Sequence, residues 1–161
     1  MIVAAGNAGQ RVWVAGTMAH TAMSDADAVA FLASDSPHTG KLATVRVDGS
    51  PHVAPIWFVV DGDSLVFTTN EDTLKGRAIR RDPRVALCVD DERPPFSFVT
   101  VNGVVEVSED PDELLQRASV IGGWYMGADR AQEYGARNGV PGELLCRLRP
   151  TRIVSAVNVS A

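Results

Sequence analysis

Residues 42–60 read LATVRVDGSPHVAPIWFVV. Two runs rich in β-branched and aromatic residues, residues 42–47 and 52–60, flank Asp48-Gly49, a dipeptide that is typical of tight hairpin turns. Asp61-Gly62-Asp63 provides a second turn, and residues 65–69 (LVFTT) give a third β-rich run. These runs predict three antiparallel strands in a meander, so the fold is organised around a sheet.

Short helices are predicted on both sides of this meander. Ser24 and Asp27 resemble a capping box, and Asp110-Pro111 is a strong helix start that precedes an apolar stripe. Asp72 or Thr73 caps another helix, which ends before Pro83 because the residue preceding a proline avoids the α region. The predicted helices cover residues 24–33, 73–81, 111–121 and 128–137.

The second half of the chain adds further strands. They are predicted over residues 84–89, 96–107, 143–148 and 152–157. Asn102-Gly103 is either a hairpin turn or a bulge in one long strand. Six or seven strands in a small domain favour an antiparallel barrel, because closure removes exposed sheet edges. The predicted fold class is mainly β with short helices.

Composition limits the function classes. The 161 residues fit one domain, and 45% hydrophobic residues with a net charge of −5 are typical of a soluble globular protein without a nucleic-acid partner. No apolar run reaches the roughly 18 residues of a membrane span. Residues 1–22 make a poor signal peptide and are interpreted as an extension, in which an extra strand or arm is possible. We therefore expect a single cytoplasmic domain over residues 23–161.

The sequence lacks the residue patterns of several kinds of functional site. Cys88 and Cys146 have no neighbouring metal ligands in the sequence, so we expect reduced thiols and no metal site. His20, His38 and His52 stand in no recognisable nucleophile setting, which argues against a hydrolase. Neither a GxGxxG fingerprint nor a Walker sequence is present.

Residues 67–84 (FTTNEDTLKGRAIRRDPR) carry five of the fifteen basic residues. A helix N-terminus directs unpaired N–H groups and a positive partial charge at what precedes it, so Thr73 and Lys75 in the first turn form a candidate anion site. Arg80 and Arg81 at the other end are interpreted as a solvated face, because cations at a helix C-terminus are favourable in any case.

Pro55 interrupts a run of strand formers. Because proline cannot donate to a strand ladder, this point is predicted to be an edge or a bulge. Trp57 and its apolar neighbours would then be either a wall for a flat ring or ordinary packing beneath an edge strand.

Four segments, in this order, resemble the flavin- or deazaflavin-binding split β-barrel family. It includes the pyridoxamine 5′-phosphate oxidases and the reductases that use the deazaflavin coenzyme F420. The resemblance spans residues 24–159, and the segments are residues 40–53, residues 55–58, residues 67–84, and a tail with residues 124–127 and 148–150. It implies a six-stranded antiparallel split β-barrel of the FMN-binding type and an obligate homodimer with two cofactor sites at the subunit interface.

The resemblance also implies roles for individual residues. Lys75 would contact the cofactor phosphate, with Thr73 and Arg77 nearby. The residues expected along the ribityl chain and the ring are Thr68, Thr69, Asn70, Val53, Ala54, Pro55, Ile56 and Trp57, with Ser97 from a neighbouring strand. Arg46 lies on a strand where the oxidases place a phosphate-binding arginine. The sequence does not fix the register of Arg46 on that strand.

Leu74 stands where the pyridoxamine oxidases carry arginine, and their C-terminal Arg-x-His signature is absent. The sequence TLKGRAIRRDPR instead looks like the F420-dependent branch, whose cofactor tail bears a phosphodiester and carboxylates that Arg77, Arg80 or Arg84 could meet. The implied activity is hydride transfer from the reduced deazaflavin to a small unsaturated organic acceptor.

The sequence is also compatible with functions other than an F420-dependent reductase. An FMN-dependent oxidase or reductase, or a non-catalytic protein that binds flavin, deazaflavin or haem, could keep the same barrel and the same anchor. Tyr125 or a water is the candidate proton donor, and Tyr125 is equally a packed interface residue. Variable loops and the helical segment 110–137 would form the substrate pocket.

Overall fold

The structure, a computed structural model, describes residues 12–13 and 21–160. The strands are β1 (Val12–Trp13), β2 (Gly40–Val45), β3 (Pro51–Ile56), β4 (Val59–Asp61), β5 (Ser64–Asn70), β6 (Arg84–Asp91), β7 (Ser97–Ser108) and β8 (Glu143–Ala156). The helices are α1 (Asp25–Leu32), α2 (Leu74–Arg81), α3 (Pro111–Met126) and α4 (Ala131–Asn138), with a 3-10 turn at Ala128–Arg130 between the last two.

The strands form one sheet in the order β3-β2-β6-β7-β8-β5-β4, with antiparallel neighbours, and β1 pairs in parallel with β8. The path therefore contains seven strands within the described residues, and the implied count of six was wrong. One reason is that Trp57-Phe58 divides the predicted run of residues 52–60 into β3 and β4. These two strands are the edges of the path, and no pairing between them closes the sheet in the described part of the chain.

The alternatives at Asn102-Gly103 are decided by the register of β7 against β8. Asn102 pairs with Arg152 and Gly103 pairs with Pro150, so Thr151 is an extra residue on β8. A Cβ on Gly103 would lie 2.1 Å from the carbonyl oxygen of Arg149, a contact that only glycine avoids. The feature is a bulge between two long strands, and the predicted break at Pro150 is part of one continuous strand.

The predicted helix starts are confirmed by their caps. The Ser24 hydroxyl accepts from Asp27 N–H, and the Asp110 carboxylate accepts from Glu113 N–H. Each bond satisfies a donor that the first helical turn leaves without a partner, which is why these residues fix where the helices begin. Helix α3 continues to Met126, beyond its predicted apolar stripe.

The sheet buries apolar side chains on both faces. Phe67, Leu87, Val99 and Leu148 belong to the larger cluster, and all four are fully buried. On the opposite face of β5, Val66 packs in a smaller cluster that includes residues from α3 and β8. Trp57 and Tyr125 lie at the border of the smaller cluster. Trp57 and Phe58 connect β3 to β4 and are here called the β3–β4 corner, so the packing beneath α3 continues to this corner.

Within the described residues, no helix has the length and apolar character that crossing a membrane requires. The extension predicted over residues 1–22 lies mainly outside the described residues. Its segment Val12–Trp13 is strand β1 beside Arg152 and Ile153 of β8.

Candidate functional site

The end of β5 and the start of α2 form one hydrogen-bonded unit, here called the anchor segment (residues 68–81). The Thr73 hydroxyl accepts from Gly76 N–H at 3.0 Å and donates to the carbonyl oxygen of Asn70 at 2.8 Å. Since its proton is committed to that carbonyl, the Thr69 hydroxyl is the donor in the 3.1 Å contact between Thr69 and Thr73. Thr73 is therefore the helix cap, and its hydroxyl is fully occupied.

Gly76 allows helix α2 to approach the end of β5. A Cβ at this position would lie 2.3 Å from the carbonyl oxygen of Asn70 and 3.0 Å from the Cα of Glu71. Any side chain here would push the first helical turn away from the strand. The glycine that follows Lys75 thus holds that turn against Thr69 and Asn70.

The first turn of α2 leaves donors without acceptors. In the described part of the chain, the N–H groups of Leu74 and Lys75 make no hydrogen bond. The half-buried Lys75 side chain has neither a hydrogen bond nor a carboxylate within 4.0 Å among the described residues. A half-buried cation beside free helical N–H groups is an arrangement that binds anions.

The arginines that follow Lys75 are engaged elsewhere. Arg80 bonds Glu71 at 3.1 Å and Glu109 at 2.6 Å, and Arg84 pairs with Asp82 at 2.7 Å. Arg77 donates to the carbonyl oxygen of Asp72, and Arg81 donates to that of Val45. The expectation that Arg77, Arg80 or Arg84 meets the carboxylates of a cofactor tail therefore finds no support in this geometry.

Aromatic stacking fixes the corner between β3 and β4. The rings of Trp57 and Tyr125 stack 5.0 Å apart and nearly parallel, and Tyr134 is tilted against Trp57 at 5.6 Å. The Tyr125 hydroxyl donates to the carbonyl oxygen of His38 at 2.8 Å and accepts from Phe58 N–H at 3.2 Å. Burial raises the pKa of this phenol above its usual range. Both functions of the hydroxyl serve the backbone, so we assign Tyr125 a structural role.

Close backbone packing joins α3 and α4 into a helical hairpin (residues 111–138). A Cβ on Gly122 would lie 2.2 Å from the Cβ of Tyr134, and one on Gly135 would lie 2.0 Å from the Ser119 hydroxyl. These two glycines let the helices touch along their length, and they hold Tyr134 beside Trp57. The hairpin is thereby a rigid wall of the corner.

The anchor segment, the β3–β4 corner and the helical hairpin enclose one cleft of about 830 Å³. Eight of the residues predicted for the site line it: Pro55, Ile56, Trp57, Thr68, Thr69, Asn70, Thr73 and Lys75. They come from two segments that are about ten residues apart in sequence, and the fold brings them to a common cavity. Their roles towards a ligand stay predictions.

The other predicted site residues lie outside the lining of this cleft. Val53 is 61% exposed on the outer face of edge strand β3, and Ala54 alternates with it. Ser97 begins β7 and pairs with Asp91 at the far end of β6, while Arg77 donates to backbone as described. Arg46 lies in the turn after β2, where its N–H bonds the carbonyl oxygen of Ser50.

Sequence reasoning missed part of the lining. The cleft is completed by Thr39, Ile121, Met126, Tyr134, Arg137, Asn138 and Glu143, most of them from the helical hairpin. The spacing of Gly122, Gly135 and Gly139 is the signal in the sequence that could have indicated two helices in close contact. Which side chains such a contact turns towards the β3–β4 corner depends on tertiary packing.

Other reactive groups offer little to this site. Burial raises the pKa of the Cys146 thiol to about 12, so it stays protonated near neutral pH. The structure gives both cysteines as free. The described residues contain no group of three or more His, Cys, Asp or Glu side chains placed to hold a metal ion.

Comparisons with known proteins give a family and several related folds. The family model of pyridoxamine 5′-phosphate oxidase matches residues 24–154. A conserved hypothetical protein from Mycobacterium tuberculosis is 26% identical, with a TM-score of 0.77 over 91% of this chain and 92% of its own. An F420 reductase is 32% identical, with a TM-score of 0.57 over 74% of this chain and 90% of its own.

A haem storage protein from Vibrio cholerae shares the fold at 20% identity, with a TM-score of 0.61 over 77% of this chain and 90% of its own. A search of the curated proteins gives no match to this sequence.

Proposed function

Because the chain belongs to the pyridoxamine 5′-phosphate oxidase family, we propose that it is an oxidoreductase that uses the deazaflavin coenzyme F420. In this proposal, the reduced coenzyme delivers a hydride to a small unsaturated organic acceptor. The observation that carries the proposal is the cleft itself. Lys75, which has no carboxylate partner among the described residues, and an aromatic wall at Trp57 line the same cavity.

The polar end of the cleft suits the phosphate of such a coenzyme. Lys75 supplies a charge with no carboxylate partner in the described part of the chain, and the adjacent N–H groups of Leu74 and Lys75 are free donors. An anion placed there gains both charge-assisted hydrogen bonds and the favourable end of the helix dipole. Thr73 contributes by fixing the position of the turn, since its hydroxyl is occupied.

The aromatic end suits a flat ring. Trp57 is stacked on Tyr125 and is held by the hairpin, so its orientation is set before a ligand binds. Pro55 lies on an edge strand where it leaves no N–H unsatisfied, and with Ile56 it lines the cleft. When bound, the reduced deazaflavin supplies the hydride, and these residues would orient the ring and exclude water from it.

The choice of coenzyme rests on specific observations. The 32% identity to an F420 reductase favours F420. Against it, Arg80 of α2 and Arg84 at the start of β6 are neutralised by acidic side chains, so residues 73–84 offer fewer free cations for a long anionic tail than their composition suggests. That pairing favours the second candidate, an FMN-dependent oxidase or reductase, since FMN needs one phosphate site.

The proposal includes a homodimer. Strand β3 has a partner strand on one side among the described residues, and its outer face exposes Val53. Val47 in the adjoining turn is 86% exposed. A second copy of the chain that covers this edge would remove apolar surface from water and bring residues such as Ser97 to a shared site. Sedimentation at micromolar concentration tests this, and a monomer with full cofactor affinity would contradict it.

The function is tested by mixing the purified protein separately with F420 and with FMN and isolating the complex. The absorbance spectrum and the mass of the bound molecule identify the coenzyme. Reduced F420 is then mixed with a panel of unsaturated acceptors, and we expect one coenzyme oxidised for each acceptor reduced. Stoichiometric FMN that F420 cannot displace would move the assignment to the FMN-dependent candidate. Tight binding without turnover over the whole panel would indicate a binding protein.

A further inference from the structure

Most cations of this chain are already paired. The structure describes fourteen of the fifteen Lys and Arg residues, all except Arg11. Among these fourteen, the side chains that make neither a hydrogen bond nor a salt bridge are those of Arg46, Lys75, Arg137 and Arg152. Two of the four, Lys75 and Arg137, line the cleft. Lys75 belongs to the anchor segment, so Arg137 is the unpaired cation that the proposed function leaves without a role.

Two arginines of the helical hairpin share one aromatic ring but differ in pairing. The Arg130 guanidinium lies 4.9 Å from the centre of the Tyr134 ring, and it bonds both carboxylate oxygens of Glu133 at 2.9 and 2.8 Å. The Arg137 guanidinium lies 5.8 Å from the same ring centre, with no carboxylate within 4.0 Å in the described part of the chain. Arg130 is thus satisfied within the protein, whereas Arg137 keeps its bidentate donor face free.

Arg137 lies at the aromatic end of the cleft. Tyr134, which it contacts, is tilted against Trp57 at 5.6 Å. Asn138 follows Arg137 in the lining, and its side chain makes no hydrogen bond with the described residues. Ile121 and Met126 give the same wall an apolar surface. The lining carboxylate of Glu143 begins β8 beside Asn70, on the anchor side of the cleft.

We propose that Arg137, with Asn138, binds a carboxylate on the substrate, which is therefore a planar unsaturated acid and not a neutral acceptor. This inference rests on the proposed function, since it takes the aromatic end as the place of the ring and of the acceptor beside it. A guanidinium pairs with a carboxylate through two parallel hydrogen bonds, and an amide adds a third donor. The apolar residues of the hairpin would contact the body of the acid.

The test uses trans-cinnamate and its neutral analogue cinnamamide, which have the same planar body. Their binding is measured by calorimetry on wild type, Arg137→Gln and Arg130→Gln, with and without saturating oxidised F420. We expect wild type to bind cinnamate about tenfold or more tightly than cinnamamide. Arg137→Gln should abolish this preference, and Arg130→Gln, which changes the same charge on the same ring, should retain it.

The measurements without F420 are independent of the coenzyme, so they remain decisive if the proposed function fails. Equal affinity of wild type for the two probes, or a preference that survives in Arg137→Gln, would overturn the inference. Retention of cinnamate binding in the presence of F420 supports a substrate site. Displacement of cinnamate by F420, together with weaker F420 binding in Arg137→Gln, would show that Arg137 contacts the coenzyme and would overturn it as well.

Discussion

The anchor segment and the helical hairpin form opposite walls of one cleft, and different forces hold them in place. The anchor is held by polar contacts, in which the Thr73 hydroxyl joins Asn70 to Gly76. The hairpin is held by shape, because Gly122 lets α3 and α4 touch at Tyr134. The anchor offers charge and N–H donors to any phosphate, whereas the hairpin presents particular side chains beside Trp57. We infer that the anchor determines affinity for the coenzyme and the hairpin determines which acceptor fits.

The largest loss of stability is expected from overpacking the helical hairpin. Gly122→Val places a branched side chain where Tyr134 lies 2.2 Å from the position of a Cβ. We expect the free energy of unfolding, measured in urea, to fall by about 2–3 kcal/mol. Gln116→Val introduces the same residue on the exposed face of α3 and serves as the control. Equal losses in the two variants would show that the helices are not in close contact.

The next largest effect comes from the cap of the anchor segment. Thr73→Val keeps the shape of the side chain and removes the hydroxyl that accepts from Gly76 N–H. We expect the free energy of unfolding to fall by about 1–2 kcal/mol, because a helix end loses its side-chain cap. Thr73→Ser retains the hydroxyl and should lie close to wild type. A Thr73→Val protein of unchanged stability would contradict the assigned cap.

Tyr125→Phe separates a structural role from a catalytic one. Removing the hydroxyl leaves the His38 carbonyl oxygen and Phe58 N–H without their partner. We expect a loss of about 1 kcal/mol in the free energy of unfolding, with turnover changed by less than tenfold at a temperature where the variant is folded. Unchanged stability combined with a hundredfold slower turnover would identify Tyr125 as the proton donor.

The smallest effect concerns the ion pair that links α3 to β8. The hydrogen bond from Arg147, followed by that from Ser108, lowers the pKa of Glu113 below the usual range of a glutamate side chain. Because the folded-state pKa is the lower one, this stabilisation is present above about pH 4.5 and is lost as the pH falls through the folded-state pKa.

The corresponding variant is Glu113→Gln. We expect a change of a few tenths of a kcal/mol in the free energy of unfolding near neutral pH, since the pair is partly exposed. Its unfolding free energy should decline less steeply than that of wild type between pH 5 and pH 3 in urea titrations. Parallel curves for the two proteins would exclude a contribution from this pair.

The sequence predicts the anchor segment well because its determinants are local. Thr73 as cap, Gly76 after Lys75 and the stop before Pro83 lie within about ten residues of one another. The turns at Asp48-Gly49 and at Gly62-Asp63 and the helix starts are local in the same sense. The number of strands is harder to predict from the sequence, because the division of residues 52–60 at Trp57-Phe58 depends on where the sheet bends.

The hairpin wall could not be predicted in the same way. Arg137 and Asn138 enter the cleft because Tyr134 packs on Gly122, twelve residues earlier in the chain, and because that pair docks beside Trp57. Likewise, the arginines of α2 look available in the sequence, but Glu109 reaches Arg80 from a distant segment. Composition shows how many charges exist, and only packing shows which of them remain free.

The role proposed for Lys75 is to anchor an anionic coenzyme in the cleft. Titration of F420 into wild type, Lys75→Ala and Arg81→Ala measures its contribution to the affinity. Arg81 belongs to the same helix but donates to the carbonyl oxygen of Val45 and lies outside the lining. We predict that Lys75→Ala weakens binding about tenfold to a hundredfold, while Arg81→Ala leaves the affinity within about twofold of wild type. Equal losses in the two variants, or no loss in Lys75→Ala, would show that Lys75 is not the anchor of the coenzyme.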